Sequence, residues 1–128
     1  MKGTEVEPRI AVIDDDAAVR AALERLLLSM NYDVRSYSSA EEFLARAAAQ
    51  PVDCVLLDVQ LRGMSGIELI ARLAALRPEL AVILLTANPE EVAPGTCAAQ
   101  LARAVLCKPV DADVLRTALE NALAVPAS

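Results

Sequence analysis

The sequence predicts an α/β fold: a five-stranded parallel sheet with helices on both faces. Short apolar runs alternate with amphipathic stretches five times along 128 residues. That alternation implies crossover helices joining parallel strands. The run Cys54-Val-Leu-Leu57 is unbroken by polar residues until Asp58, as expected of a strand covered on both sides. The length suits one domain, so 1–128 reads as a single unit with its core at about 9–123.

The polar start, Met1 to Pro8, is expected to be frayed. Arg9-Ile-Ala-Val-Ile13 is a β-branched run that stops at Asp14-Asp15-Asp16, which reads as a buried strand. Val19, Leu23, Leu26, Leu27 and Met30 recur at helical spacing, predicting a helix over Ala17 to Met30 with Asp16 as its N-cap. Tyr32 to Tyr37 is a second, more polar strand. Ser38 and Ser39, with Glu41 and Glu42 three residues on, look like a capping box. The helix they open places Ala40, Phe43, Leu44 and Ala47 on one face and ends near Gln50-Pro51.

Val52 to Leu57 is the third strand. After the loop Val59 to Ser65, a second capping box, Ser65-Gly-Ile-Glu68, opens a helix with Leu69, Ile70, Leu73, Ala74 and Leu76 on its apolar side. Arg77-Pro78 ends that helix. Leu80 to Leu85 is the fourth strand, closed by Thr86. Pro89, Pro94 and Gly95 interrupt Ala87 to Leu101, so a helix there is short or starts late. Arg103 to Cys107 is a weak fifth strand ahead of Lys108-Pro109. Asp111 caps a last helix that buries Leu115, Ala118, Leu119 and Ala122, and Val125 to Ser128 is a loose end.

Composition narrows the function. Hydrophobic residues make up 55%, which suits a packed core, but aromatics are only 2% and Trp is absent. A stacking platform for single-stranded nucleic acid is disfavoured. The net charge of −6 argues against direct nucleic-acid binding. The chain has no His, which removes imidazole metal ligands and His-based catalysis. Cys54, Cys97 and Cys107 form no CxxC pair and are odd in number, so a disulfide framework or zinc site is disfavoured. Cys54 reads as a small core hydrophobe. For Cys107 the core reading is favoured over a thiol activated by Lys108. Neither a secretory leader nor an apolar stretch of about 18 residues is visible. A cytoplasmic protein without a membrane span is expected.

In an open parallel sheet, ligands gather at the carboxyl ends of the strands. Here those ends carry Asp14, Asp15 and Asp16, then Asp58, Thr86 and Lys108. Each alone has an ordinary reading, as a turn, a helix cap or a solvated loop residue. Four strand ends agreeing is what carries weight. Carboxylates held together repel unless a cation relieves them, and Mg²⁺ is bound by carboxylates, carbonyls and water. Lys supplies a point charge for a phosphoryl oxygen, and Thr a hydroxyl. A carboxylate can itself be the nucleophile that becomes an aspartyl-phosphate. The set matches the needs of phosphoryl transfer.

At these residues the sequence resembles the receiver, or phosphoacceptor, domain of bacterial two-component response regulators. The matching stretches are Val12-Ile-Asp-Asp-Asp16 with Val19-Arg20, Val55-Leu-Leu-Asp58 with Gly63-Met-Ser-Gly-Ile-Glu-Leu69, Val82-Ile-Leu-Leu-Thr-Ala87, and Leu106-Cys-Lys-Pro109. They run in order over about Arg9 to Leu123. The Asp58 to Leu69 stretch looks closest to members that often carry a C-terminal helix-turn-helix. The resemblance implies a flavodoxin-like doubly wound sheet of order 2-1-3-4-5. It implies Asp58 as phosphoacceptor, Asp15 as a direct Mg²⁺ (or Mn²⁺) ligand, Asp14 as a ligand mainly through water, and the Gln60 backbone carbonyl as a further ligand. It implies that Thr86 bonds the phosphoryl group and shifts inward, that Lys108 pairs with a phosphoryl oxygen, and that Lys108-Pro109 is cis. Asp16 falls outside the family's acidic pair and remains a helix cap.

Four positions depart from the family. Val105 stands where a Tyr or Phe usually swings inward with the Thr. Arg62 replaces the usual Pro four residues after the acceptor. Leu101 stands about where a Gly usually precedes the fifth strand. Pro89, Pro94 and Gly95 break a helix that many relatives keep. Gln60 and Asn88 occupy the positions that tune water access to the phosphoryl group in the family, and two amides can either orient a water or crowd it.

The leading expectation is a regulatory phosphoacceptor, not an enzyme in its own right beyond its own phosphorylation and dephosphorylation. A sensor histidine kinase or phosphotransfer protein would load Asp58, and the change would alter binding to an unknown effector or output domain, with a homodimer possible on phosphorylation. A relay protein, an allosteric partner regulator and an excised receiver all fit. Mg²⁺-dependent phosphatases also use an Asp at a strand end, but they need a second Asp where this chain has Gln60, and a cap domain does not fit in 128 residues. A receiver serving only as a binding module is disfavoured by the intact Asp14, Asp15, Asp58, Thr86 and Lys108. A nucleotide-binding fold lacks its Gly-rich loop after the first strand.

Overall fold

The computed structural model describes residues 7–47 and 49–124. The expected loose end, Val125 to Ser128, and Met1 to Val6 of the expected frayed start lie outside them. The chain runs β1 (Arg9–Ile13), α1 (Ala17–Ser29), β2 (Asp33–Tyr37), α2 (Ala40–Arg46), β3 (Cys54–Asp58), α3 (Gly66–Leu76), β4 (Ala81–Thr86), a 3-10 turn (Pro89–Val92), α4 (Cys97–Leu101), β5 (Ala104–Cys107) and α5 (Ala112–Ala124). The strands form one sheet of order β2-β1-β3-β4-β5, every neighbouring pair parallel. The expected fold is the observed one.

Side chains along a strand point to alternate faces, so each central strand feeds two cores. Ile10, Val12, Leu56 and Ile83 pack with Leu23 and Leu27 of α1 and Leu115 and Leu119 of α5. On the other face Ala11, Ile13, Leu57 and Leu84 pack with Phe43 of α2, Leu69, Ile70 and Leu73 of α3, and Ala98 of α4. Every residue of β3 and β4 is buried. The edge strands explain why their sequences read weakly: only Tyr37 is buried in β2, and no residue is in β5. Tyr37 meets Phe43 edge-to-face at 5.2 Å.

The caps sit where the sequence puts them. Asp16 accepts from the N–H groups of Ala18 and Val19, Ser39 from Glu42, and Ser65 from Glu68. Asp111 accepts from Val114 N–H at 3.0 Å ahead of α5. Glu42 closes its box by accepting from Ser38 N–H at 2.8 Å. The second box is only half formed, because the Glu68 carboxylate faces Arg72 one turn on.

Several expectations are corrected. α2 stops at Arg46, not near Gln50, because the N–H groups of Ala49 and Gln50 both turn back to the Arg46 carbonyl ahead of Pro51. β3 starts at Cys54 rather than Val52, where the Asp53 side chain instead accepts from Arg9 N–H at 2.8 Å. Leu76 is 66% exposed rather than buried. As the last residue of α3, it lies at the rim of a shallow groove lined by Leu44, Ala47, Leu73 and Arg77. Cys107 is exposed, not a core residue, because it ends an edge strand. Cys54 is fully buried, and desolvation pushes its thiol up to about 12. That thiol stays protonated and unreactive.

Candidate functional site

The site lies at the carboxyl ends of β1, β3, β4 and β5, beside the point where strand order reverses between β1 and β3. Asp14 follows β1 directly, and its N–H donates to the Tyr37 carbonyl at 3.2 Å. Its side chain is only 1% exposed. Oδ1 accepts from Asp16 N–H at 2.9 Å and Oδ2 accepts from Lys108 Nζ at 2.8 Å. The Arg20 guanidinium donates to the Asp14 carbonyl at 2.6 Å, fixing the loop from α1.

Asp58 ends β3 and is buried. Its Oδ1 accepts from Gln60 N–H at 3.3 Å and stands 3.3 Å from Lys108 Nζ. Asp15 is the most accessible member of the set, its side chain half-buried; its Oδ2 accepts from Arg62 N–H at 3.2 Å, with the Arg62 Nε at 3.8 Å. One oxygen from each of Asp14, Asp15 and Asp58 lies within 4.8 Å of the others. Lys108 is delivered by β5, its N–H donating to the Thr86 carbonyl at 2.9 Å, and its bond to Pro109 is cis.

Thr86 ends β4 and is 1% exposed. Its hydroxyl accepts from Asn88 N–H at 3.0 Å and lies 2.9 Å from the Asn88 carbonyl and 3.3 Å from Glu91 Oε1. The Gln60 side-chain amide donates to the other oxygen of Glu91. All the strand-end residues named from the sequence therefore meet on one edge, except Asp16, which stays with α1.

Burial of Asp58 and the negative charge of Asp14 push the Asp58 carboxyl above its usual range, with Lys108 pulling the other way. Burial opposes the Lys108 ammonium, yet its hydrogen bond to Asp14 and the two carboxylate charges outweigh that, and its pKa is raised. One ammonium thus leaves the carboxylates incompletely neutralised. The donor set is hard oxygen throughout, which fits Mg²⁺ or Mn²⁺ rather than a soft metal.

Three contributors are not marked in the sequence as site residues. A Cβ on Gly66 would stand 2.2 Å from the Asp58 carbonyl oxygen. Glycine there lets α3 start directly against the end of β3. Gly63 takes φ +74, and the neighbouring Met64 N–H donates to Glu41 at 2.9 Å, tying the loop after Asp58 to α2. Glu91 spans two site loops from a segment whose sequence gives no periodic signal.

Comparison with known proteins agrees with this geometry. Residues 10–120 match the family model of the response regulator receiver domain. Over 112 residues, 88% of the chain, the sequence is 32% identical to the DNA-binding transcriptional regulator NtrC of Salmonella typhimurium, covering 24% of that protein. It is 35% identical over 116 residues, 89% of the chain, to the transcriptional regulatory protein FixJ of Bradyrhizobium diazoefficiens, covering 56% of it. The chain thus spans about a quarter to a half of these relatives. Among solved structures, a response regulator receiver domain protein from Clostridium thermocellum superposes with a TM-score of 0.82 at 28% identity, covering 91% of this chain and 94% of the other. Response regulator TrrA from Thermotoga maritima, in complex with Mg²⁺-BeF, gives 0.83 at 26% identity, covering 91% and 99%.

Proposed function

The chain belongs to the response regulator receiver domain family, and from that premise we propose that Asp58 is its phosphoacceptor and that Thr86 and Lys108 serve the phosphoryl group. The observation that carries this reading is the placement of Asp58: buried at the end of β3, 3.3 Å from Lys108 Nζ, with Asp14 and Asp15 oxygens within 4.8 Å. An Asp58 oxygen attacks the phosphorus of a phosphohistidine on a sensor kinase or phosphotransfer protein. The O–P bond forms, the P–N bond breaks, and the imidazole nitrogen leaves with its electron pair.

Asp14, Asp15, Asp58 and the Gln60 backbone carbonyl would hold Mg²⁺ or Mn²⁺, which when bound offsets charge on the phosphoryl oxygens. Lys108, already between Asp14 and Asp58, pairs with one such oxygen. The Thr86 hydroxyl turns from the Asn88 carbonyl toward another, carrying the 3-10 turn with it. Val105 is partly buried against the core on the α2, α3 and α4 face of the sheet. It is too short to reproduce an aromatic swing, so the loop after Thr86 carries the switch.

The modification adds negative charge, and the α4, β5 and α5 face reads it out to an effector, an output domain or a second copy of the chain. Among the described residues no helix is long and apolar enough to cross a membrane; we place the relay in the cytoplasm. A phosphatase reading is weaker, because the Gln60 side chain donates to Glu91 and offers no acid or base.

The test is intact mass after incubation with acetyl phosphate and Mg²⁺. One added phosphoryl group, absent in Asp58→Asn and suppressed by chelator, is expected. No gain in the folded parent protein would sink the reading.

A further inference from the structure

Among the described residues, Glu91 is the one acidic side chain that touches both Gln60, in the loop after Asp58, and Thr86, at the end of the neighbouring β4. Its backbone is fixed: the Glu91 N–H donates to the Asn88 carbonyl at 3.0 Å, and the next residue, Val92, is 5% exposed and anchored in the core. The carboxylate is then held at both ends. Oε1 lies 3.3 Å from the Thr86 hydroxyl, and Oε2 accepts from the Gln60 amide.

Thr86 has a single hydroxyl proton and two acceptors for it, the Asn88 carbonyl at 2.9 Å and Glu91 at 3.3 Å. A phosphoryl oxygen on Asp58 would be a third claimant. Phosphorylation also brings negative charge toward a carboxylate that cannot move far while Gln60 holds it. Both effects act against the loaded state.

We infer that Glu91 is a positioning residue that restrains Thr86 and Gln60 in the unphosphorylated protein and opposes phosphoryl loading of Asp58. This rests on the phosphoacceptor reading above. Glu91 touches no reacting atom; it acts through the two side chains it holds. Loading must therefore break the Gln60–Glu91–Thr86 bridge, and the released 3-10 turn is the first element to move.

The experiment is the initial rate of phosphorylation by acetyl phosphate with Mg²⁺, followed by intact mass at low and high ionic strength. Parent, Glu91→Gln and Glu91→Asp are compared, with thermal unfolding as a control on folding. Glu91→Gln keeps the size and loses the charge. It is expected to load about threefold to tenfold faster at low salt, with the advantage shrinking as salt screens the site. Glu91→Asp keeps the charge but loses the reach to both partners, so it should fall between the parent and Glu91→Gln, with a gain that salt does not remove. A structural role alone would not give a salt-dependent gain. Equal or slower loading by folded Glu91→Gln, with the parent loading normally, overturns this inference alone. No adduct in the parent or either variant overturns the phosphoacceptor reading and this inference together.

Discussion

Lys108 and Asp14, 94 positions apart in the chain, meet at 2.8 Å, and the same ammonium stands 3.3 Å from Asp58. One cation thus serves two carboxylates whose side chains are 1% and 8% exposed. Lys108→Met should cost about 1–2 kcal/mol at neutral pH, less than a fully buried pair because the Lys108 side chain keeps 21% exposure. The folded pKa of Lys108 is raised, so its stabilisation is complete below the ordinary lysine value and is lost as pH rises through the folded one. The difference from the parent should also close at low pH, where the carboxylates protonate. Urea unfolding across pH measures this. Added Mg²⁺ should stabilise the variant more than the parent, since a cation replaces the missing charge.

Asp58→Asn should stabilise the protein. The raised pKa of Asp58 means that its ionised form is disfavoured by folding, through burial first and Asp14 second. That penalty is present above the folded pKa and disappears as pH falls below the unfolded one. The variant should be the more stable protein at neutral pH without Mg²⁺. The gap should narrow in acid. An equal or lower stability of Asp58→Asn at neutral pH would show that Lys108 neutralises the site fully.

Gly66→Ala tests how the acceptor is held. Its Cβ would sit 2.2 Å from the Asp58 carbonyl oxygen and 2.8 Å from Val59 Cα, both backbone atoms that cannot swing aside. The end of β3 or the start of α3 must shift. A loss of about 2 kcal/mol or more is expected, with slower acetyl phosphate loading in whatever remains folded. Gly95→Ala is the contrast: nothing lies within 4 Å of its Cβ position, although φ +93 still strains it.

Much of this was legible in the sequence because the signals were local. The unbroken apolar runs of β3 and β4 announced a doubly covered sheet, and Asp16, Ser39 and Ser65 announced their helices. Asp14, Asp58, Thr86 and Lys108 were legible as strand ends once the strands were found. What was hidden depends on contact between distant segments. Nothing near Glu91 says that it reaches Gln60, 31 positions away. Leu76 has helical spacing from Leu69 and Leu73, yet α3 ends there and leaves it at a rim. Cys107 looked apolar enough for the core, but an edge position decided its exposure.

Arg62 replaces a residue that is usually Pro in the family, and the structure brings it to a carboxylate of the cluster. Its N–H donates to Asp15 Oδ2 at 3.2 Å and its Nε stands 3.8 Å away on a side chain that is 95% exposed. So exposed a pair contributes little to stability and is screened by salt. Under the proposed reading its charge would compete with a divalent cation for Asp15. Arg62→Ala keeps the backbone N–H and loses the guanidinium, so Mg²⁺ should bind about twofold tighter at low ionic strength and no tighter at high. Calorimetric titration measures this, with Arg77→Ala, whose partner is Glu79 at the far end of α3, as the control for net charge. If both variants tighten Mg²⁺ equally, the effect is overall charge; if only Arg62→Ala does, the guanidinium beside Asp15 sets the metal affinity of the site.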